Sequence, residues 1–185
     1  MRKVVVSAFV TLDGVAENVA GFFTEWDDYD VDAAGAALIS TQDAVILGRR
    51  TYDEWAPFWP DSQIEPFASF INTVPKYIAT SRPLDPEWAG ASAIDAEPAE
   101  FVRDLKNQPG GDIGVHGSIS VAQTLLIAGL VDDLRLVIAP TIAGVGRRLL
   151  HGLPTIPLTP IRSVTSTTGF MILDCRIAAH ATLTT

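Results

Sequence analysis

Short runs of β-branched and apolar residues recur along this chain, with helix-patterned stretches between them. Lys3 to Val10 is the first run and reads as a strand buried on both faces, closed by the turn Leu12-Asp13-Gly14. Val31 to Thr41 sets Val31, Ala34, Leu38 and Ile39 on one side of a helix. Ala44 to Leu47 is a second buried strand. It runs into Gly48-Arg49-Arg50-Thr51-Tyr52, where a glycine opens a short helix that Pro57 and Pro60 break. Pro66 to Thr73 predicts a helix closed by Pro75. Lys76 to Thr80 predicts a third strand, ending in Thr80-Ser81-Arg82-Pro83. A small strand is expected over Ala91 to Ile94. Asp95 is then expected to cap a helix that has Pro98 in its first turn and runs to about Asn107.

The clearest unit is Asp112 to Leu136. Ile113 to His116 is a short strand, Gly117-Ser118 a tight turn, Ile119 to Ala128 an apolar-faced helix stopped by Gly129, and Leu134 to Ala139 another strand. Further on, Leu158 to Thr167 and Phe170 to Ile177 flank Thr168-Gly169 as a β-hairpin, with Met171, Leu173, Cys175 and Ile177 alternating onto one face. Strands alternate with helices and a hairpin closes the chain, which predicts an α/β fold with a mostly parallel sheet and an antiparallel edge. One domain over residues 1–180 is expected, with 181–185 as a frayed tail.

Composition narrows the partners. At 185 residues the chain suits one substantial core, and 48% hydrophobic against 19% charged residues marks it as globular. A net charge of −9 repels polyanions, so neither nucleic acid nor an anionic membrane surface is an expected partner. The single cysteine, Cys175, permits no internal disulfide and fits a reducing, cytoplasmic setting. His116, His151 and His180 lack metal-ligand spacing. The opening apolar run meets Thr11 and Asp13 too early for a signal peptide, and no stretch is long enough to span a bilayer.

Three strand ends share one chemistry. Gly48-Arg49-Arg50-Thr51, Ser81-Arg82 and Gly117-Ser118 each follow a buried strand, and ligands of open α/β sheets sit beyond the carboxyl ends of the strands. Together they offer helix-start N–H groups, hydroxyls and guanidiniums. These suit a ligand carrying a pyrophosphate and a further phosphate. No Rossmann fingerprint or P-loop is present. Gly144-Val145-Gly146 reads as a turn with solvated arginines.

Four segments resemble the dihydrofolate reductase-like family that includes the reductase domain of bacterial riboflavin biosynthesis, the RibD C-terminal domain. They are Thr11-Leu12-Asp13-Gly14 after the opening strand; Asp43 to Tyr52, close to that family's strand plus G-R-K/R-T-Y turn; Val115-His116-Gly117-Ser118 with Leu125-Leu126 and Gly129 to Leu136; and Pro140 to Leu150, similar to P-x-x-x-G-x-G-x-R/K-L-F. The resemblance implies a three-layer α/β/α reductase with about eight strands, a homodimer, NADPH as cofactor and a small-molecule substrate. It places the 2′-phosphate and pyrophosphate contacts on Gly48, Arg49, Arg50 and Thr51. It places the adenosine side on Ser81 and Arg82, and the nicotinamide side and pyrophosphate on Gly117, Ser118 and Ile119. His116 stands where that family often has a first glycine.

Hydride transfer needs a proton donor beside the cofactor. Glu25, Asp27, Asp28 and Asp30 are candidates, or else a solvated acidic loop and a helix cap. Asp13 is either a cleft carboxylate or a turn residue before Gly14, and His116 either a proton donor or a buried structural histidine. Trp26, Trp55, Phe58 and Trp59 are either a wall for a flat ring or loop packing. Three functions follow: an NADPH-dependent reductase of a small heterocyclic or carbonyl substrate; a non-catalytic NADP(H)- or ligand-binding protein of the same fold; or a hydrolase using Ser118. The last needs a histidine and an acid within reach of that hydroxyl.

Overall fold

The computed structural model describes residues 1–23 and 28–178. Among these, one eight-stranded sheet has the order β4-β3-β2-β5-β1-β6-β8-β7. Its strands are β1 (Val4–Thr11), β2 (Gln42–Gly48), β3 (Lys76–Ala79), β4 (Ala91–Ala93), β5 (Asp112–His116), β6 (Asp133–Ala139), β7 (Leu158–Thr165) and β8 (Met171–Ile177). The helices are α1 (Tyr29–Ile39), α2 (Arg49–Trp55), α3 (Phe67–Thr73), α4 (Pro98–Lys106) and α5 (Ile119–Ile127). From β4 to β6 every pairing is parallel, and β8 and β7 close the sheet antiparallel.

Residue alternation along the strands assigns the layers. Val4, Val6, Ala44, Ile46, Ile113 and Val115 pack under α4 and α5. On the other face Val45 and Leu47 pack with Tyr52 of α2, with Ala56 just beyond its end, and with Ile71 of α3. Phe9, Val137 and Ile172 pack there with Val31 and Ala34 of α1. Helices thus cover both faces, which is why the inner strands read as unbroken apolar runs. One consequence positions the site. The neighbours β2 and β5 send the chain to opposite faces, β2 into α2 and β5 into α5. By the rule for open α/β sheets, the ligand crevice lies at this switch point, beyond the carboxyl ends of β2 and β5.

Three details depart from the sequence pattern. Helix α1 starts at Tyr29, earlier than the apolar stripe begins, because the Asp28 carboxylate caps it by accepting from the N–H groups of Asp30 (3.0 Å) and Val31 (3.1 Å). Helix α4 has Glu97 at its N-cap position, not Asp95, and the Glu97 side chain makes no capping hydrogen bond; Pro98 at the start needs no donor partner. In β8 the expected face holds buried Cys175, but Ile172 and Asp174 on the opposite face are buried too, because β8 is an inner strand with α1 beside it. Among the described residues no helix is long and apolar enough to cross a membrane, and no cluster of three or more His, Cys, Asp or Glu could hold a metal ion. The tail at 181–185 lies outside the described residues.

Candidate functional site

The crevice is built from two turns that clamp each other. Gly117 adopts φ +59°, and its N–H donates to the Ser7 carbonyl at 3.2 Å. A Cβ added there would lie 3.6 Å from Trp55, so the backbone angle rather than space calls for glycine. Beyond it, the first turn of α5 leaves N–H groups without intrahelical acceptors. The buried Ser118 hydroxyl accepts from the Gly48 N–H at 2.9 Å and lies 2.9 Å from Thr51 Oγ1 and 3.1 Å from the His116 carbonyl. Thr51 in turn faces the Gly117 carbonyl at 3.4 Å. Two of the three turn hydroxyls that sequence offers to a phosphate, Ser118 and Thr51, are therefore engaged in joining the β2 and β5 turns. Those partners also remove Ser118 as a nucleophile, since among the described residues neither an imidazole nor a carboxylate is bonded to it.

The strand ends of β3, β2 and β5 are consecutive in the sheet, so Ser81-Arg82, Gly48 to Thr51 and Gly117 to Ile119 line one edge. Arg49 donates to Asp53 (2.6 Å) and to the Pro83 carbonyl (2.6 Å), and Arg82 faces the same Asp53 at 3.6 Å. Arg82 borders a cleft of about 720 Å³ at the ends of β3 and β4, lined by Ser81, Asp95 and Glu97 among others, and Arg49 reaches its Pro83 wall through the carbonyl contact. Arg50 turns the other way, pairing with Glu17 at 2.5 Å. Two residues that sequence reasoning passed over belong here. Arg147, read as solvated, donates to the Ser120 hydroxyl in the first turn of α5 at 2.8 Å, and Glu17 accepts the Arg147 backbone N–H at 3.2 Å. The G-x-G-x-R spacing of Gly144 to Arg148 marks Arg148 and leaves Arg147 at an unspecified position, so only the fold brings Arg147 to α5.

The proposed proton donors fare differently. His116 is buried, with Nδ1 2.9 Å from the Ser7 hydroxyl, Nε2 2.8 Å from Gln42 Oε1, and the Phe67 and Phe70 rings edge-on beside it. Burial pushes its pKa down to about 4, so the imidazole is neutral at physiological pH with both nitrogens occupied. Its geometry is that of a structural histidine. Asp13 accepts from the Thr11 hydroxyl (2.6 Å) and the N–H groups of Ala143 and Gly144 (both 3.0 Å), and pairs with Arg148 at 3.2 Å. The Thr11 hydroxyl first, then those N–H groups, hold this carboxyl well below the usual range, so Asp13 pins the loop after β6 and is a poor acid near neutrality. For buried Asp28, desolvation alone would raise the pKa. Hydrogen bonds from Ser166 and Thr168 and from the α1 N–H groups outweigh it and keep the carboxyl below its ordinary value. Asp27, with Glu25 and Trp26, lies outside the described residues. Trp55, Trp59 and Phe67 interlock with centroids 4.7–5.7 Å apart, and Phe67 continues to His116, so these aromatics pack α2 onto α3 behind the Gly117 turn.

The family model described as RibD C-terminal domain matches residues 2–172. A protein of Bacillus subtilis (strain 168), the uncharacterized protein YyaP, is 30% identical over 155 residues, covering 80% of each chain. Among solved structures, a Shewanella sp. PV-4 protein provisionally named for riboflavin biosynthesis superimposes with TM-score 0.75 at 19% identity, over 95% of this chain and 99% of that one. A pyrimidine reductase-like protein from Corynebacterium diphtheriae gives TM-score 0.68 at 16% identity, over 96% and 92%. A diaminohydroxyphosphoribosylaminopyrimidine deaminase/5-amino-6-(5-phosphoribosylamino)uracil reductase from Thermotoga maritima gives 0.69 at 15% identity, over 96% of this chain and 57% of that one. At these identities the structural neighbours establish the fold, an eight-stranded, mostly parallel α/β sheet of the RibD and dihydrofolate reductase type.

Proposed function

Because the chain belongs to the RibD C-terminal domain family, we propose that it is an NADPH-dependent reductase delivering hydride to a small, flat heterocyclic or related carbonyl substrate. The observation that carries this is the alignment of three phosphate-suited turns on consecutive parallel strands. They run from the 720 Å³ cleft beside Ser81 and Arg82, past Gly48 to Thr51, to Gly117 and the start of α5. That edge fits an elongated dinucleotide with an anionic group at one end and a second in the middle. NADPH, when bound, supplies the hydride. The chain's own share is to hold the adenosine end with Arg49 and Arg82, and to present α5 N–H groups to the diphosphate. The Thermotoga maritima neighbour is named as a uracil-derivative reductase, which makes aminopyrimidines the first substrates to assay, with dihydrofolate next.

Titration should show NADPH binding at least about tenfold tighter than NADH, since a charge-assisted phosphate contact contributes roughly 1.5–3 kcal/mol. Arg49→Ala and Arg82→Ala should each narrow that gap. Equal affinity for both nucleotides in the unmodified protein would remove the 2′-phosphate assignment.

One observation favours the second reading, a protein that binds NADP(H) without turnover: neither Asp13 nor His116 is available as an acid. The two readings separate in one assay. Saturable NADPH binding with no loss of reduced-nicotinamide absorbance across pyrimidine, pteridine and carbonyl substrates would favour the binding protein.

A further inference from the structure

The ion pairs along the crevice divide its arginines into two sets. Arg49 and Arg82 share Asp53 on the adenosine side. Arg50 instead reaches Glu17, in the loop after β1, at 2.5 Å. The other oxygen of Glu17 accepts the Arg147 N–H at 3.2 Å, and the Arg147 guanidinium holds the Ser120 hydroxyl of α5 at 2.8 Å. These four residues form a chain from the start of α2 to the start of α5, across the crevice mouth. Its middle member is a carboxylate held between a guanidinium and a backbone N–H, the same pair of donors that a phosphate oxygen takes. The Arg50 and Glu17 side chains are 62% and 36% exposed, so the carboxylate can leave without disturbing the core. The backbone beneath it stays fixed: Ala16 donates to the Arg147 carbonyl at 2.9 Å and Leu149 to the Gly14 carbonyl at 3.1 Å.

We propose that Glu17 is an affinity-setting placeholder, occupying the Arg50–Arg147 position that the diphosphate of the dinucleotide takes when it binds. The proposal rests on the NADPH reading above and goes beyond it in two ways. It gives Arg50 and Arg147 to the diphosphate, which NADPH and NADH share, and leaves discrimination between them to Arg49 and Arg82. It also makes every binding event an exchange of one anion for another. An internal carboxylate weakens nucleotide binding by the strength of its own ion pair, and it screens the arginine from smaller anions.

The test is calorimetric titration of NADPH and of NADH into the full chain, comparing Glu17→Gln and Glu17→Ala with the unmodified protein at low salt. Both variants should bind both nucleotides about two- to fivefold tighter, the scale of an exposed ion pair. The gain should shrink as salt is raised and vanish in an Arg50→Ala background. Unchanged or weaker binding overturns the proposal. So does a gain that persists without Arg50, which would make Glu17 a general field effect, or a gain confined to NADPH, which would put Arg50 at the 2′-phosphate. If the unmodified protein binds neither nucleotide, the NADPH reading falls and this proposal with it. If it binds NADPH in preference to NADH and the Glu17 variants match it, only the placeholder falls.

Discussion

Acidification from pH 6.5 towards 4 should remove about 3 kcal/mol of folding stability through His116 alone. The sign follows from proton counts. The unfolded imidazole titrates near 6.5, the folded one near 4, so between those values the unfolded chain binds the extra proton. Stability is therefore full above 6.5, falls by up to about 1.4 kcal/mol per pH unit inside the window, and is fully lost below the folded value. Burial is the physical cause. With Gln42 Oε1 facing the ring, Nε2 carries the proton and Ser7 donates to Nδ1, so a second proton would charge an imidazole that has no carboxylate bonded to it. Denaturant unfolding at stepped pH measures the slope, and His116→Gln should flatten it across the same window even if the variant starts less stable. An equal slope in both proteins would mean that other groups carry the acid sensitivity of this window. The carboxyls of Asp13 and Asp28 are not among them, since their depressed values place their own contribution lower in pH.

His116 also shows where sequence could and could not lead. The order of strands and helices was legible because β-branched runs and helical stripes are local signals, and three turns on parallel strands had to share an edge. Ser118 and Thr51 were legible as turn hydroxyls but not as each other's partners, because the contact joins residues 67 positions apart. Gln42 was invisible as a site residue for the same reason. It enters at the amino end of β2 and sends its carboxamide to His116, 74 positions away. Arg147 looked solvated because nothing local says that the loop after β6 returns to α5. The division of the two adjacent arginines, Arg49 towards Asp53 and Arg50 towards Glu17, depends on partners from different loops. Of the candidate site, only the glycine-to-helix junctions themselves were in a form that periodicity and turn chemistry could read.

Gly114→Ala should lower stability by roughly 3–4 kcal/mol, from overpacking together with the loss of a buried hydrogen bond. A Cβ at this position would stand 2.1 Å from Gln42 Oε1 and 2.6 Å from His116 Nε2, inside any real contact distance. Gly114 lies in the middle of β5, hydrogen-bonded between β1 and β2, so the backbone has little freedom to retreat and the Gln42–His116 pair must give way instead. Its glycine is thus a requirement of space and not of φ, unlike Gly117 three residues on. Calorimetry should register a melting temperature lower by about 10 °C. The double variant Gln42→Ala/Gly114→Ala gives the decisive comparison. Removing the carboxamide takes away the 2.1 Å clash and frees the His116 ring to turn from the remaining 2.6 Å approach, so the pair should be less destabilised than the sum of its parts. Strict additivity would show that Gly114 serves something other than the histidine pair. The double variant also bears on function. Its Gly117 turn should remain held by the Ser7 carbonyl, and NADPH affinity should follow the melting temperature back towards that of the unmodified protein.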